Sequence, residues 1–236
     1  MGAQCRPAGH AFAHNLWIMR QFWDSSVGKK VVMGLTGLVL VGFVIGHMAG
    51  NLQIFMGPER YNAYARFLQH DIIEVTWAVR IALFVSVVLH ALSAWQLSRR
   101  AWAARPVEYA MREAQVSTYA SRTMRWGGVF LFVFLILHLG QFTLGWKWLL
   151  PEYMPDGAYG NVVLAFSRPL WVVFYLVAMF FLLLHLFHGT WAVLRTLGVA
   201  KNASEPLQRR LPLIIALVVT VGFSLVPLGV ALGVVR

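Results

Sequence analysis

Four histidines stand out as residues that could do chemistry: His47, His90, His138 and His185, each inside a different long apolar stretch. An ionisable side chain within a membrane span is costly, and its default reading is a functional one. One such histidine alone is as readily a polar group bonded across helices; one on each of four consecutive stretches is a pattern. Two neutral imidazoles at matching depth on facing helices supply bis-histidine haem ligation, with one ring nitrogen on the iron and the other free to donate to an acceptor. The single cysteine, Cys5, excludes a disulfide framework, thiolate zinc or iron–sulfur ligation and the C-x-x-C-H attachment of a c-type haem. Any metal on this chain therefore rests on histidine.

The stretches that must position these residues are Val31–Phe55, Thr76–Ser98, Met124–Leu149, Pro169–Leu197 and Leu211–Val235. Each exceeds the roughly 20 residues a helix needs to cross a hydrocarbon core of about 30 Å. None contains Asp or Glu, and the fifth has no histidine. The 236 residues are 59% hydrophobic and 12% charged, with a mean hydropathy of +0.65, against about 45–50% apolar and about 25% charged in a soluble domain. The expected fold is an all-α integral membrane protein of five transmembrane helices, the first four forming a haem-binding bundle. It occupies residues 31–236 behind an N-terminal segment, 1–30, which lacks the apolar core of a signal peptide. Met19 is an alternative start. Two further segments, Arg60–Glu74 and Val107–Thr123, read as amphipathic helices at the interface.

Twenty Lys and Arg against nine acids give a net charge of +11. Arg6, Arg20, Lys29 and Lys30, then Arg99, Arg100, Arg105, Arg112, Arg122 and Arg125, then Arg195, Lys201, Arg209 and Arg210 all fall on one side of the five-span topology, fourteen of the twenty. The positive-inside rule makes that side, with the N-terminus, cytoplasmic. Topology thus accounts for the charge, and nucleic acid is not needed as a partner.

Counting from the cytoplasmic ends at about 1.5 Å per residue puts His47 and His138 roughly 24 and 21 Å deep, and His90 and His185 roughly 12 and 15 Å deep. The expectation is two stacked b haems, an outer one on His47 and His138 and an inner one on His90 and His185. His188, three residues from His185, is an alternative ligand by counting. Gly34, Gly37, Gly42, Gly46 and Gly50, with Gly127, Gly128, Gly140 and Gly189, leave room for a porphyrin or for close helix packing. Arg122, Arg125 and Arg195 are candidate propionate partners or ordinary interfacial anchors. His10 and His14 in the N-terminal segment receive no role.

The stretch GKKVVMGLTGLVLVGFVIGHMAGNLQIFMGPERYNAYARFL, residues 28–68, resembles the first span and following loop of the b558-type cytochrome b subunit of succinate dehydrogenase and fumarate reductase. The likeness runs over almost the whole chain, with GHMAGNL its most specific segment. HLFHG at 185–189 fits the family pattern H-x-x-x-G, which selects His185 over His188. The resemblance implies a membrane anchor for a flavoprotein carrying FAD and an iron–sulfur subunit. Its two haems would pass electrons between the iron–sulfur chain and a quinone, menaquinone, in a bacterial plasma membrane. It allows a trimer of heterotrimers, and it implies that the chain does not oxidise succinate by itself. Some fumarate reductases of the family carry one glutamate two residues before the fourth ligand and another at the outer start of the second span. Leu183 and Gln69 stand at those places, which favours the succinate-oxidising reading over a quinol:fumarate reductase.

A quinone needs donors to its carbonyls and an apolar slot near a haem. The candidates are Ser25, Ser26, Lys29 and Trp126 on the inner side and Gln69, His70, Asp71 and Glu74 on the outer side, where His70 could also carry protons. The cytochrome b subunit of a formate dehydrogenase or hydrogenase is a second electron-transfer reading, disfavoured by five spans with one histidine on each of four. A transporter or haem-free anchor would use the histidines as a proton relay, and carboxylates within the spans would favour it.

Overall fold

A computed structural model of the chain describes residues 17, 19–104, 119–198 and 204–236, and all the regular structure among them is helical. Cys5, Arg6, His10, His14, Arg105, Arg112, Lys201 and most of the expected Val107–Thr123 helix lie outside the described residues, as does the side chain of Arg209. Among the described residues, five helices are long and apolar enough to cross a membrane. In chain order the helices are α1 (Ser26–Leu52), α2 (Pro58–Arg66), α3 (Ile73–Ala103), α4 (Tyr119–Phe142), α5 (Ala158–Phe166), α6 (Pro169–Thr196) and α7 (Glu205–Ala231). The membrane-crossing helices are α1, α3, α4, α6 and α7.

Local chemistry explains the boundaries. Ser25 caps α1, its Oγ accepting from the Gly28 N–H at 2.8 Å, as a serine just ahead of a helix does. α1 tightens into a 3₁₀ turn over Gln53–Met56 and stops at Gly57, whose φ of +95° suits glycine; Pro58 then opens α2. Pro169 likewise starts α6.

Three expectations change. The interfacial segment Arg60–Glu74 is not one helix: α2 passes into a π turn over Phe67–Asp71, and Glu74 lies in the first turn of α3. The third span ends at Phe142, seven residues before Leu149. There the chain folds back, with Gly145 at φ +60° and the Trp146 N–H donating to the Gly140 carbonyl at 2.8 Å. Leu149 and Leu150 are buried against protein rather than lipid, so apolarity alone overestimated the span. The outer connection also contains α5, a short, partly buried helix that the sequence alone does not indicate.

α6 is the centre of the packing. It lies along α1, α4 and α7, while α3 packs on α1, and α7 on both α1 and α6. Small residues make the approaches close: a Cβ on Gly34 would meet Val193 of α6 at 2.8 Å, as expected where membrane helices cross. One apolar cluster gathers Ile54, Phe166, Val172, Tyr175, Val226 and Val230 toward the far side; a second, deeper one joins Leu186 of α6 to Ala216 and Val219 of α7.

Candidate functional site

The packing brings the four span histidines together two by two. His47 of α1 and His138 of α4 have ring centroids 5.8 Å apart; His90 of α3 and His185 of α6 have theirs 6.1 Å apart. His188 instead faces Trp191, at 5.8 Å. Each pair spans a diagonal of the bundle, because neither α1 with α4 nor α3 with α6 is among the helices packed along their lengths.

Two metal–imidazole bonds of about 2 Å in line, plus roughly 1 Å from each nitrogen to its ring centre, place centroids about 6 Å apart. Both pairs fit that spacing. The ligating nitrogen must also carry a lone pair, and the hydrogen bonds of one ring in each pair provide it. In the inner pair, His90 Nδ1 lies 3.0 Å from the Met33 carbonyl oxygen, which can only accept; Nδ1 therefore holds the proton and Nε2 keeps its lone pair. In the outer pair, His138 Nδ1 lies 3.1 Å from the Tyr175 hydroxyl. That hydroxyl spends its one proton on Gln141 Oε1 at 2.9 Å, so it meets His138 as an acceptor. His138, too, is left with a bare Nε2.

The other two rings are held differently. The Asn51 amide nitrogen lies 3.4 Å from both nitrogens of His47, but its firm bond is to the His47 carbonyl, at 2.8 Å. Asn51 Oδ1 in turn accepts from Tyr61 at 3.3 Å, tying the end of α1 to α2. His185 Nδ1 is buried without a partner among the described residues, and so are Ser93 Oγ, Gln96 Oε1 and Thr190 Oγ1. Ser93 follows His90 by three residues and Thr190 follows His185 by five on the same helices. Such orphaned atoms are rare in native proteins and call for an explanation; polar edges of a bound macrocycle are one. Gly37 adds room, since a Cβ there would meet His90 Cε1 at 3.3 Å, and Gly42, Gly46 and Gly189 face open space. The residues present therefore fit a porphyrin at each pair. Residue type alone gave Ser93, Gln96, Thr190, Tyr175 and Gln141 no prominence; a depth count extended to every polar residue in the spans would have found them beside the histidines.

The remaining candidates separate. Lys29 is 2% exposed, with its Nζ 4.4 Å from the centre of the Trp23 ring. It lines an open pocket of about 380 Å³ with Asp24, Trp95, Gln96, Arg99 and Arg100. Ser26 Oγ accepts from Arg100 beside that pocket at 3.2 Å. Ser25 is spent on the α1 cap, and Trp126 stands exposed, outside the pocket lining. Gln69, His70, Asp71 and Glu74 are all exposed on the far side and line no cavity described here. Arg125 and Arg195 rest over Trp102 and Trp191, each at 4.9 Å, and Arg122 is exposed near the start of α4.

Residues 101–226, just over half of the chain, match the family model described as succinate dehydrogenase/fumarate reductase transmembrane subunit. No curated protein and no solved structure matches the chain.

Proposed function

The chain belongs to the succinate dehydrogenase/fumarate reductase transmembrane subunit family, and from that premise we propose that it is the dihaem cytochrome b anchor of a succinate:quinone oxidoreductase. One observation carries the reading: two histidine pairs at different depths, each with the ring spacing of bis-imidazole ligation. Two b haems, when bound, supply one-electron transfer between an iron–sulfur partner and a quinone. The chain's residues do the rest. His90 and His185 would hold the inner group and His47 and His138 the outer one, while Met33 and Tyr175 keep a ring proton on the side away from the ligating nitrogen.

The face bearing Lys30, Arg99 and Arg100 is strongly basic, which supports docking of the flavoprotein and iron–sulfur subunits on it and a cytoplasmic N-terminus in a bacterial plasma membrane. Lys29, Arg100 and Gln96, converging between Trp23 and Trp95, offer donors and aromatic walls to a planar dicarbonyl ring. We place the quinone, menaquinone by the reading above, in that inner pocket. No carboxylate lies in the apolar core of any span, so the bundle carries electrons without an acidic proton path beside them.

A dithionite-reduced minus oxidised spectrum with pyridine haemochrome quantitation on the purified full chain tests this: two b haems per chain are expected, and none would overturn it. For the pocket, Lys29→Met should lower succinate:quinone turnover of the assembled complex about tenfold with both haems retained. Unchanged turnover would move the quinone elsewhere.

A further inference from the structure

We propose that Tyr175, oriented by Gln141, is the positioning residue that sets the reduction potential of the outer haem by accepting the Nδ1 proton of His138. The inference rests on the bis-histidine reading and adds a division of labour between the two centres.

Three observations carry it. Tyr175 is buried in α6, wedged edge-on among Phe134, Phe142 and Phe166, so its ring cannot swing away. Its hydroxyl lies between two partners, 3.1 Å from His138 Nδ1 and 2.9 Å from Gln141 Oε1. Gln141 is 0% exposed, and its amide nitrogen has no partner among the described residues. A fully buried amide that makes one bond and leaves its donors empty is a net cost to the fold. What it provides is direction: with Gln141 taking the phenol proton, Tyr175 can only accept from His138. Without Gln141 the phenol proton has no fixed acceptor, and the Tyr175 oxygen becomes a weaker acceptor for the His138 Nδ1–H.

An acceptor on Nδ1–H pushes electron density into the ring and makes the ligating nitrogen more basic. A more basic axial ligand favours the oxidised iron, so this hydrogen bond lowers the potential of the outer centre. The inner centre uses the Met33 carbonyl for the same purpose, with Thr36 Oγ1 at 3.4 Å beside it, and neither is altered by a change at Tyr175 or Gln141. The two centres can therefore be told apart by substitution.

The experiment is a potentiometric titration, followed optically and by low-spin EPR, of membranes containing the full chain, with His47→Leu identifying the outer component by its loss. Tyr175→Phe keeps the ring and removes the acceptor. At a fixed potential its outer haem should show a reduced-to-oxidised ratio raised by up to about tenfold, equivalent to about 59 mV for a one-electron couple, with the inner haem unmoved. Gln141→Leu should shift the outer haem in the same direction by less, because the phenol oxygen becomes a poorer acceptor. If Tyr175→Phe fails to load the outer haem, Gln141→Leu decides: a rise confined to the outer haem supports the proposal, and no shift overturns it. Two retained haems with unchanged potentials in both variants would overturn the inference while leaving the ligand assignment standing. Absence of haem from the unsubstituted chain would instead remove the reading beneath it.

Discussion

The outer and inner histidine pairs have nearly the same ring separation but are supported by different means. At the outer pair the His138 ring bonds to Tyr175, which is bonded to Gln141, while Asn51 bonds the His47 carbonyl at 2.8 Å, stands 3.4 Å from the His47 ring nitrogens and is itself bonded to Tyr61. At the inner pair His90 leans chiefly on a main-chain carbonyl, with Thr36 Oγ1 at 3.4 Å, and His185 has no partner for its Nδ1 among the described residues. The outer site is preorganised by its neighbours. The inner site leaves more polar atoms without a partner among the described residues, Ser93 Oγ, Thr190 Oγ1 and His185 Nδ1 against Gln141 Nε2 at the outer one, and a bound group would have more to satisfy there. Preorganisation lowers the ordering cost of binding, so equal geometry need not mean equal affinity.

The largest expected effect tests whether these are two sites at all. His90→Leu and His185→Leu should each reduce haemochrome from two haems per chain to one and remove the same spectral component; His47→Leu and His138→Leu should remove the other. A crossed result, with His90 and His138 sharing a component, would break the pairing. Next in size is Gly37→Val. Its Cβ would begin 3.3 Å from His90 Cε1, so the inner haem should fall several-fold in occupancy while the outer stays full, read as the ratio of the two components. Equal losses would mean that the bundle, and not the site, had been disturbed.

Two smaller effects probe the outer support. Burial, with Tyr64 beside it, pushes the Tyr61 hydroxyl up to about 12 from an ordinary value of 10. Between those values the unfolded chain releases this proton and the folded chain keeps it. The folded state then binds more protons, and stability falls as pH rises through the window. At pH 11 the loss is about 1.4 kcal/mol; comparing thermal unfolding at pH 9 and pH 11, Tyr61→Phe should lose less stability than the unsubstituted chain by that amount. Asn51→Ala, which deletes the bond to the His47 carbonyl, should cost about 1 kcal/mol and broaden the outer haem's EPR signal without touching the inner one. A change at the inner haem would show that the two supports are coupled.

Much of this was legible in the sequence, for definite reasons. Histidine is conspicuous in a carboxylate-free apolar run, and a fixed helical rise turns position into depth, so His47 and His138, and His90 and His185, could be matched by counting. Depth carries no angle about the helix axis, however, and the diagonal placement of each pair was invisible. Met33 gave no signal because its main-chain carbonyl does the work, and any residue has one. Tyr175 hid among aromatic neighbours that all read as packing. Ser25 looked like a quinone donor by residue type; in the fold its hydroxyl is the cap of α1. Trp146 and Leu149 fall within the apolar run of the third span, since burial under a protein loop and burial in lipid select the same side chains.

The diagonal placement bears on how the molecule is assembled. α3 leans on α1, and α4 on α6, and these two halves meet through α1, α6 and the α7 that rests on both. On the proposed reading, a rigid group held across each diagonal would give the two halves a pair of tie-rods. A newly inserted chain lacking them would keep its helices, because each satisfies its own backbone in lipid, yet its halves would hinge apart along α1 and α6. Unchanged circular dichroism with new protease cuts in the connections would be the signature of that state.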